Sequence, residues 1–166
     1  MAVEKSDFPN RKQARLKGYD YSTPGVYFVT ICLKDGKRLL SDITVGEDAH
    51  ILPKNNLSEI GIICDKHINH INSIYENVTV DKYVIMPNHI HMIIFLYGSM
   101  KASTPTKNIQ TIVRSFKTMV TKEIGYSIWQ RSYYDHIIRG EADYLSIWNY
   151  IDTNVIRWKK DCFCKE

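Results

Sequence analysis

His89 and His91, separated by one residue inside Tyr83-Val-Ile-Met-Pro-Asn-His-Ile-His-Met-Ile-Ile-Phe-Leu96, are the first side chains in this sequence that could do chemistry as a pair. In a strand, side chains alternate between faces. His89 and His91 therefore point one way while Ile90 and Met92 point the other. Two neutral imidazoles roughly 7 Å apart along a strand can share a divalent cation. They can equally be two half-buried histidines bonded to backbone or to a neighbouring carboxylate. Their setting favours a purpose: they follow the Pro87-Asn88 turn directly and interrupt a run otherwise too apolar to want them.

A second pair lies near the C-terminal end. Tyr144, Ile147, Trp148, Ile151, Val155 and Trp158 recur at helical spacing and form one apolar stripe. Tyr150 and Asn154, four residues apart, stack at its border, presenting a phenol and an amide together. A packed ring with a wet hydroxyl is the structural alternative for Tyr150.

These groups need elements to hold them. Val26 to Leu33 is β-branched and aromatic between Pro24-Gly25 and Asp35-Gly36, which predicts a strand. Lys37 to Pro53 suggests a short hairpin about Gly46-Glu47-Asp48. Leu57 to Ile71 has helical spacing, with Asn56 or Ser58 as its cap and with His67 and His70 at surface or boundary positions. Thr79 to Met86 and His89 to Leu96 are the central strands. Asn108 to Ile124 forms an amphipathic helix that stops before Gly125. Ile128 to Ile138 reads as a strand and Ala142 to Lys160 as a final helix. Strand, helix, two strands, helix, strand, helix predicts an α+β fold, a ferredoxin-like, mainly antiparallel sheet with helices packed on it.

The 166 residues suit one domain, with 44% hydrophobic and 24% charged residues. We delimit a basic arm over residues 1–24, a single domain over 25–161 and a short tail over 162–166. No apolar run reaches the ~18–20 residues of a membrane span, and residues 1–10 lack a signal-like apolar region. The expectation is a cytoplasmic, nucleoid-associated protein without a membrane partner. The four cysteines have neither zinc-ribbon nor dense disulfide spacing and read as reduced thiols. The net charge of +4 is unevenly spread. Arg11, Lys12, Arg15 and Lys17 crowd the arm, while Lys101, Lys107, Arg114, Lys117 and Lys122 gather in and before the second helix. Either cluster suits a polyanion or a plain solvated face.

Met86-Pro-Asn-His-Ile-His91, then Trp129-Gln-Arg-Ser-Tyr-Tyr-Asp-His-Ile-Ile-Arg139, then Tyr150-Ile-Asp-Thr-Asn154 resemble, in order and spacing, the REP-associated tyrosine transposases. These belong to the single-tyrosine branch of the HUH endonucleases, U being a bulky apolar residue. Arg15-Leu-Lys-Gly-Tyr-Asp-Tyr21 with the strand that follows is similar to their opening, and the resemblance spans about Arg11 to Trp158.

The resemblance implies that His89, His91 and Asn154 bind a divalent ion, Mg2+ or Mn2+, and that Tyr150 is the nucleophile. It implies cleavage and rejoining of single-stranded or hairpin DNA through a 5′-phosphotyrosine. Arg11, Lys12, Arg15, Lys17, Arg114, Lys117, Lys122 and His136 become candidate DNA contacts. For His136, a structural bond beside Asp135 is the competing role. The family's proline after the asparagine is Val155 here, so the helix is expected to run on.

A homodimer exchanging the Tyr150 helix and a monomer are both compatible with the chain. Two other functions compete: a domesticated hairpin-DNA binder without transposition, and a metal phosphoesterase that uses water. A histidine-triad hydrolase is disfavoured because position 93 is Ile.

Overall fold

Strand β5 (His89–Leu96) is buried along its whole length except at Phe95. A strand this apolar is stable only in the middle of a sheet covered on both faces, and β5 takes that place. The computed structural model describes residues 18–44, 52–98 and 108–160. Within them β5 lies between β4 (Val78–Ile85) and β1 (Gly25–Cys32), and β6 (Tyr134–Ile138) completes the order β4-β5-β1-β6. Every pairing in this sheet is antiparallel. A separate antiparallel pair is formed by β2 (Ser41–Thr44) and β3 (Lys54–Leu57), its second strand lying past the Lys37–Pro53 stretch where a hairpin is expected. Its Gly46-Glu47-Asp48 turn lies outside the described residues, as do Arg11, Lys12, Arg15, Lys17, Lys101, Lys107 and the 162–166 tail. The result is an α+β fold with antiparallel sheets of four and two strands and three packed helices, consistent with a ferredoxin-like arrangement.

Helix α1 (Glu59–Ile74) starts at Ser58, whose Oγ accepts the Gly61 N–H at 3.0 Å and donates to the Leu39 carbonyl at 2.6 Å. Of the two expected caps, Ser58 is the one used. The same turn leaves no room for a side chain at Gly61, where a Cβ would overlap the Leu40 carbonyl oxygen. Helix α2 (Ile109–Ile124) is capped by Asn108 Oδ1, which accepts the Thr111 N–H at 2.8 Å, and ends on Gly125 at φ +87°. Only a residue without a Cβ adopts that left-handed backbone cheaply.

Alternation along the strands divides the packing. Tyr27, Val29 and Ile31 of β1 with Ile90, Met92 and Ile94 of β5 face α1 and α2 and build the main core. Phe28 and Ile93 face the other way, where Ile93, Ile138 and Ile151 form a small cluster beneath α3 (Glu141–Asp152). His89 and His91 share the Ile93 side by the same alternation.

Four sequence expectations need correction. The Ile128–Ile138 stretch is strand only from Tyr134. Before it, Trp129 makes a single bridge to Leu33 while the chain crosses the end of α2. The last helix stops at Asp152 although Val155 replaces proline. Beyond it the Asn154 N–H turns back to the Ile151 carbonyl at 3.3 Å, a tighter pattern that breaks the α-helical ladder. Trp148 is off the apolar stripe, 38% exposed, with the Lys82 ammonium 3.2 Å from its ring centroid. His67 is buried between α1 and α2, its Nε2 2.7 Å from Glu123 Oε2.

Candidate active site

The Pro87-Asn88 turn is clamped by backbone. Leu33 N–H donates to the Asn88 carbonyl at 2.9 Å, Leu40 N–H to the Pro87 carbonyl at 3.0 Å, and Met86 N–H to the His89 carbonyl at 2.8 Å. This fixes where β5 begins and hence which face His89 and His91 occupy. Across the ladder Cys32 sits opposite His89, and Thr30 opposite His91.

Both imidazoles are essentially out of water, at 0% and 1% exposure. Buried polar groups are tolerated only when bonded. His89 Nδ1–H donates to Asn88 Oδ1 at 2.7 Å, because an amide oxygen can only accept. That leaves the lone pair of the imidazole on Nε2. His91 Nδ1 lies 2.8 Å from Thr30 Oγ1, and its Nε2 lies 3.3 Å from the Tyr150 hydroxyl. Both hydroxyls can donate or accept, so either tautomer satisfies the two contacts; the one that leaves Nε2 with a lone pair has Nδ1–H donating to Thr30 and Tyr150 O–H donating to Nε2. Burial, reinforced by the neighbouring His89, holds the His91 pKa well below the usual imidazole value and keeps the ring neutral. The two rings, with centroids 4.5 Å apart, form a nitrogen pair of the kind that can serve one divalent cation when each presents an unprotonated Nε2.

Rings hold the group in place. Phe28 stacks on His91 at 5.2 Å and meets Tyr150 edge-on at 6.1 Å, and Trp158 lies 6.0 Å from His89. The Arg38 guanidinium sits 5.6 Å from the Trp158 centroid, bringing a cation to the rim of the cluster. The structure therefore brings His89, His91 and Tyr150 together. Asn154 is buried, at 1% exposure, in the turn after α3. Among the described residues no three or more His, Cys, Asp or Glu side chains gather into a metal-binding cluster. The metal donors proposed from the sequence are two imidazoles and an amide.

The remaining candidates lie elsewhere. His136 Nε2 is 2.9 Å from Asp143 Oδ2, which also accepts the Arg139 N–H at 3.2 Å. His136 thus has a carboxylate partner in Asp143 on α3. Arg114, Lys117 and Lys122 line a cleft of about 520 Å³ with Lys34 and Arg131. Lys117 is turned inward: its ammonium donates to the carbonyls of Gln130 and Ser132 at 2.9 and 3.0 Å, and burial pushes its pKa down to about 8.

Sequence reasoning missed Thr30, Asn88 as a bonding partner, Arg38, Lys34 and Arg131. A lone threonine in the apolar Val29-Thr30-Ile31 run was the available signal for the first, but its register against His91 is not written in the chain.

The antiparallel sheet with helices packed on both faces is a fold shared with a solved structure. The chain superposes on a structure of a REP-associated tyrosine transposase bound to a REP hairpin with a TM-score of 0.60 and 22% identity, covering 86% of this chain and 72% of that one. That likeness is one of fold. The chain belongs to the same family as an "Uncharacterized protein" of Haemophilus influenzae, to which it is 35% identical over 173 residues, covering 92% of each. No protein-family model matches it. Among the described residues no helix is long and apolar enough to cross a membrane.

Proposed function

We propose that this protein is a metal-dependent DNA transposase of the single-tyrosine HUH type, cleaving and rejoining single-stranded DNA near hairpins. The observation that carries the reading is the Tyr150 hydroxyl 3.3 Å from Nε2 of His91, with the His89 ring beside it, centroids 4.5 Å apart. The transposase fold, and the hairpin bound by the structure that shares it, support the substrate class.

His89 and His91 through Nε2, with Asn154, would hold Mg2+ or Mn2+. When bound, such a cation supplies positive charge beside the scissile phosphate oxygens and beside a phenol whose ordinary pKa is ~10. Thr30 and Asn88 hold the imidazoles in the ligating tautomer. Phe28 fixes the Tyr150 ring edge-on and excludes water from one side. The Tyr150 oxygen bonds to phosphorus as the bond to the 3′-oxygen breaks, leaving a 5′-phosphotyrosine and a free 3′-hydroxyl. A second 3′-hydroxyl reverses the step, so no nucleotide cofactor is consumed. Residues 25–161 form the catalytic domain in this reading, with 1–24 as a basic arm and 162–166 as a tail.

The test is incubation of labelled hairpin-bearing single strands with Mn2+ or Mg2+, scored on a denaturing gel for a protein-linked band. The band should require metal and vanish in Tyr150→Phe and His89→Ala. Cleavage surviving Tyr150→Phe would replace the tyrosine by water. Metal-independent DNA binding with no cleavage would leave a hairpin-binding protein.

A further inference from the structure

The cleft between α2 and residues 127–133 is separate from the tyrosine site, and its walls carry five cations, Lys34, Arg114, Lys117, Lys122 and Arg131, with no carboxylate. The acid of α2, Glu123, is drawn to the opposite flank, where Lys66 Nζ reaches it at 2.8 Å and His67 at 2.7 Å. Among the described residues, no carboxylate lines the cleft to offset its positive charge. Lys34, Arg114, Lys122 and Arg131 are all exposed.

The cleft is also preformed. Lys117 staples the 130–132 backbone to α2, Trp129 Nε1–H donates to the Lys117 carbonyl at 3.2 Å, and Lys34 N–H donates to the Ile128 carbonyl at 2.8 Å. These bonds hold together the three strips of backbone from which the cations project. A solvated basic face has no need of such bracing.

We propose that this cleft grips the sugar-phosphate backbone of a DNA strand at a second site, away from the reacting phosphate, with Lys34, Arg114, Lys122 and Arg131 as the phosphate contacts and Lys117 as a positioning residue. The proposal rests on the DNA reading above and deepens it. Arg114 and Lys122 are eight residues apart on one helix, roughly 12 Å along its axis. A DNA strand carries a phosphate about every 3.4 Å of its axis, so the cleft matches a run of about three to four nucleotides. An open groove walled by exposed side chains suits an extended polymer better than an enclosed small anion. Because the contacts are phosphate contacts, they would position DNA of any sequence.

The full-length quadruple variant Lys34→Gln/Arg114→Gln/Lys122→Gln/Arg131→Gln tests it, with Lys117 left in place. Binding of a fluorescein-labelled 20-nucleotide single strand is followed by anisotropy from 50 to 200 mM salt, with thermal melts as a folding control. The expected result is a loss of affinity of at least about tenfold. The log affinity against log salt slope should become shallower by roughly 3, four contacts at about 0.7 each. The charge-keeping Lys34→Arg/Lys122→Arg variant should bind as the parent does.

Parent-like affinity and slope in the quadruple variant would overturn the cleft even where the parent forms the covalent band. Displacement of the 20-mer by equimolar inorganic phosphate or a mononucleotide would overturn it in favour of a small-anion pocket. An equal loss in the Lys→Arg variant would overturn it as structural damage. Cleft-dependent binding with no covalent band from the parent would uphold the cleft and sink the tyrosine reading alone.

Discussion

Thr30→Val isolates what holds His91. Valine matches threonine in shape but offers no oxygen, and Thr30 is 4% exposed, so no water replaces the hydroxyl that now lies 2.8 Å from Nδ1. The imidazole Nδ1 is left buried and unsatisfied, a penalty of about 1–3 kcal/mol. Burial of the extra methyl offsets less than about 0.8 kcal/mol of it. The metal-free variant should therefore lose about 1–2 kcal/mol by urea unfolding. At about 2–4 °C per kcal/mol, its melting point falls by roughly 2–8 °C.

Loss of the bond also frees the tautomer, so Mn2+ affinity by calorimetry should drop about 10–100-fold, as for other residues that orient a ligating histidine. The stacked Phe28 ring, 5.2 Å from His91, should keep the ring near its place and the fold intact. A Thr30→Val protein with parental stability, and with an unchanged imidazole nitrogen NMR spectrum, would refute the tautomer argument.

Lys117→Met tests the buried ammonium. Its native pKa of about 8 lies below the ordinary lysine value of ~10.4, so between those limits the unfolded chain binds more protons and stability rises with pH. The difference in unfolding free energy between parent and Lys117→Met should move in the parent's favour from pH 8 to 10, and a flat difference would contradict the burial effect. Glu123→Gln should remove an acid limb: bonds from Lys66 and His67 hold the Glu123 carboxyl below its usual range. The parent's advantage is thus present above pH ~4.3 and fades as pH falls toward the lowered native value, as thermal melts at stepped pH would show. Gly61→Ala puts a Cβ into the Leu40 carbonyl oxygen, backbone that cannot rotate away, and should cost about 2 kcal/mol or more by urea unfolding.

Much of this was legible beforehand because local patterns are loud. The β5 alternation fixed the common face of His89 and His91, and Asn108 and Gly125 bracket α2 as helix punctuation does. Illegible features depend on what meets what across the fold. The Trp129 to Tyr133 stretch carries strand-forming residues, yet their rings pack around α2 and only Tyr134 onward pairs with β1. Helix α3 ends at Asp152 through turn bonding that no residue type announces. Thr30 lies 61 positions from its histidine partner, so only strand register joins them. The sequence also offered too many lysines to say that Lys117 turns inward while Arg114 and Lys122 remain exposed.

The two coverings of the sheet are unequal, and the tyrosine rides on the lighter one. Helices α1 and α2 are cemented by the main core, whereas α3 fully buries only Ile151, above Ile93 and Ile138, with Tyr144, Ile147 and Tyr150 half-buried beside it. One such isoleucine is worth about 1.5–3 kcal/mol. Tyr150, the proposed nucleophile, therefore sits on the more lightly buried helix, tied down by a small cluster and by the Tyr144–Asp81 and Lys82–Asp152 contacts, while the paired histidines belong to the most deeply buried strand. Amides of α3 should exchange with deuterium through partial opening long before those of β5. Undocking of this kind would expose the imidazoles to metal and to a polynucleotide without loosening the scaffold that aims them.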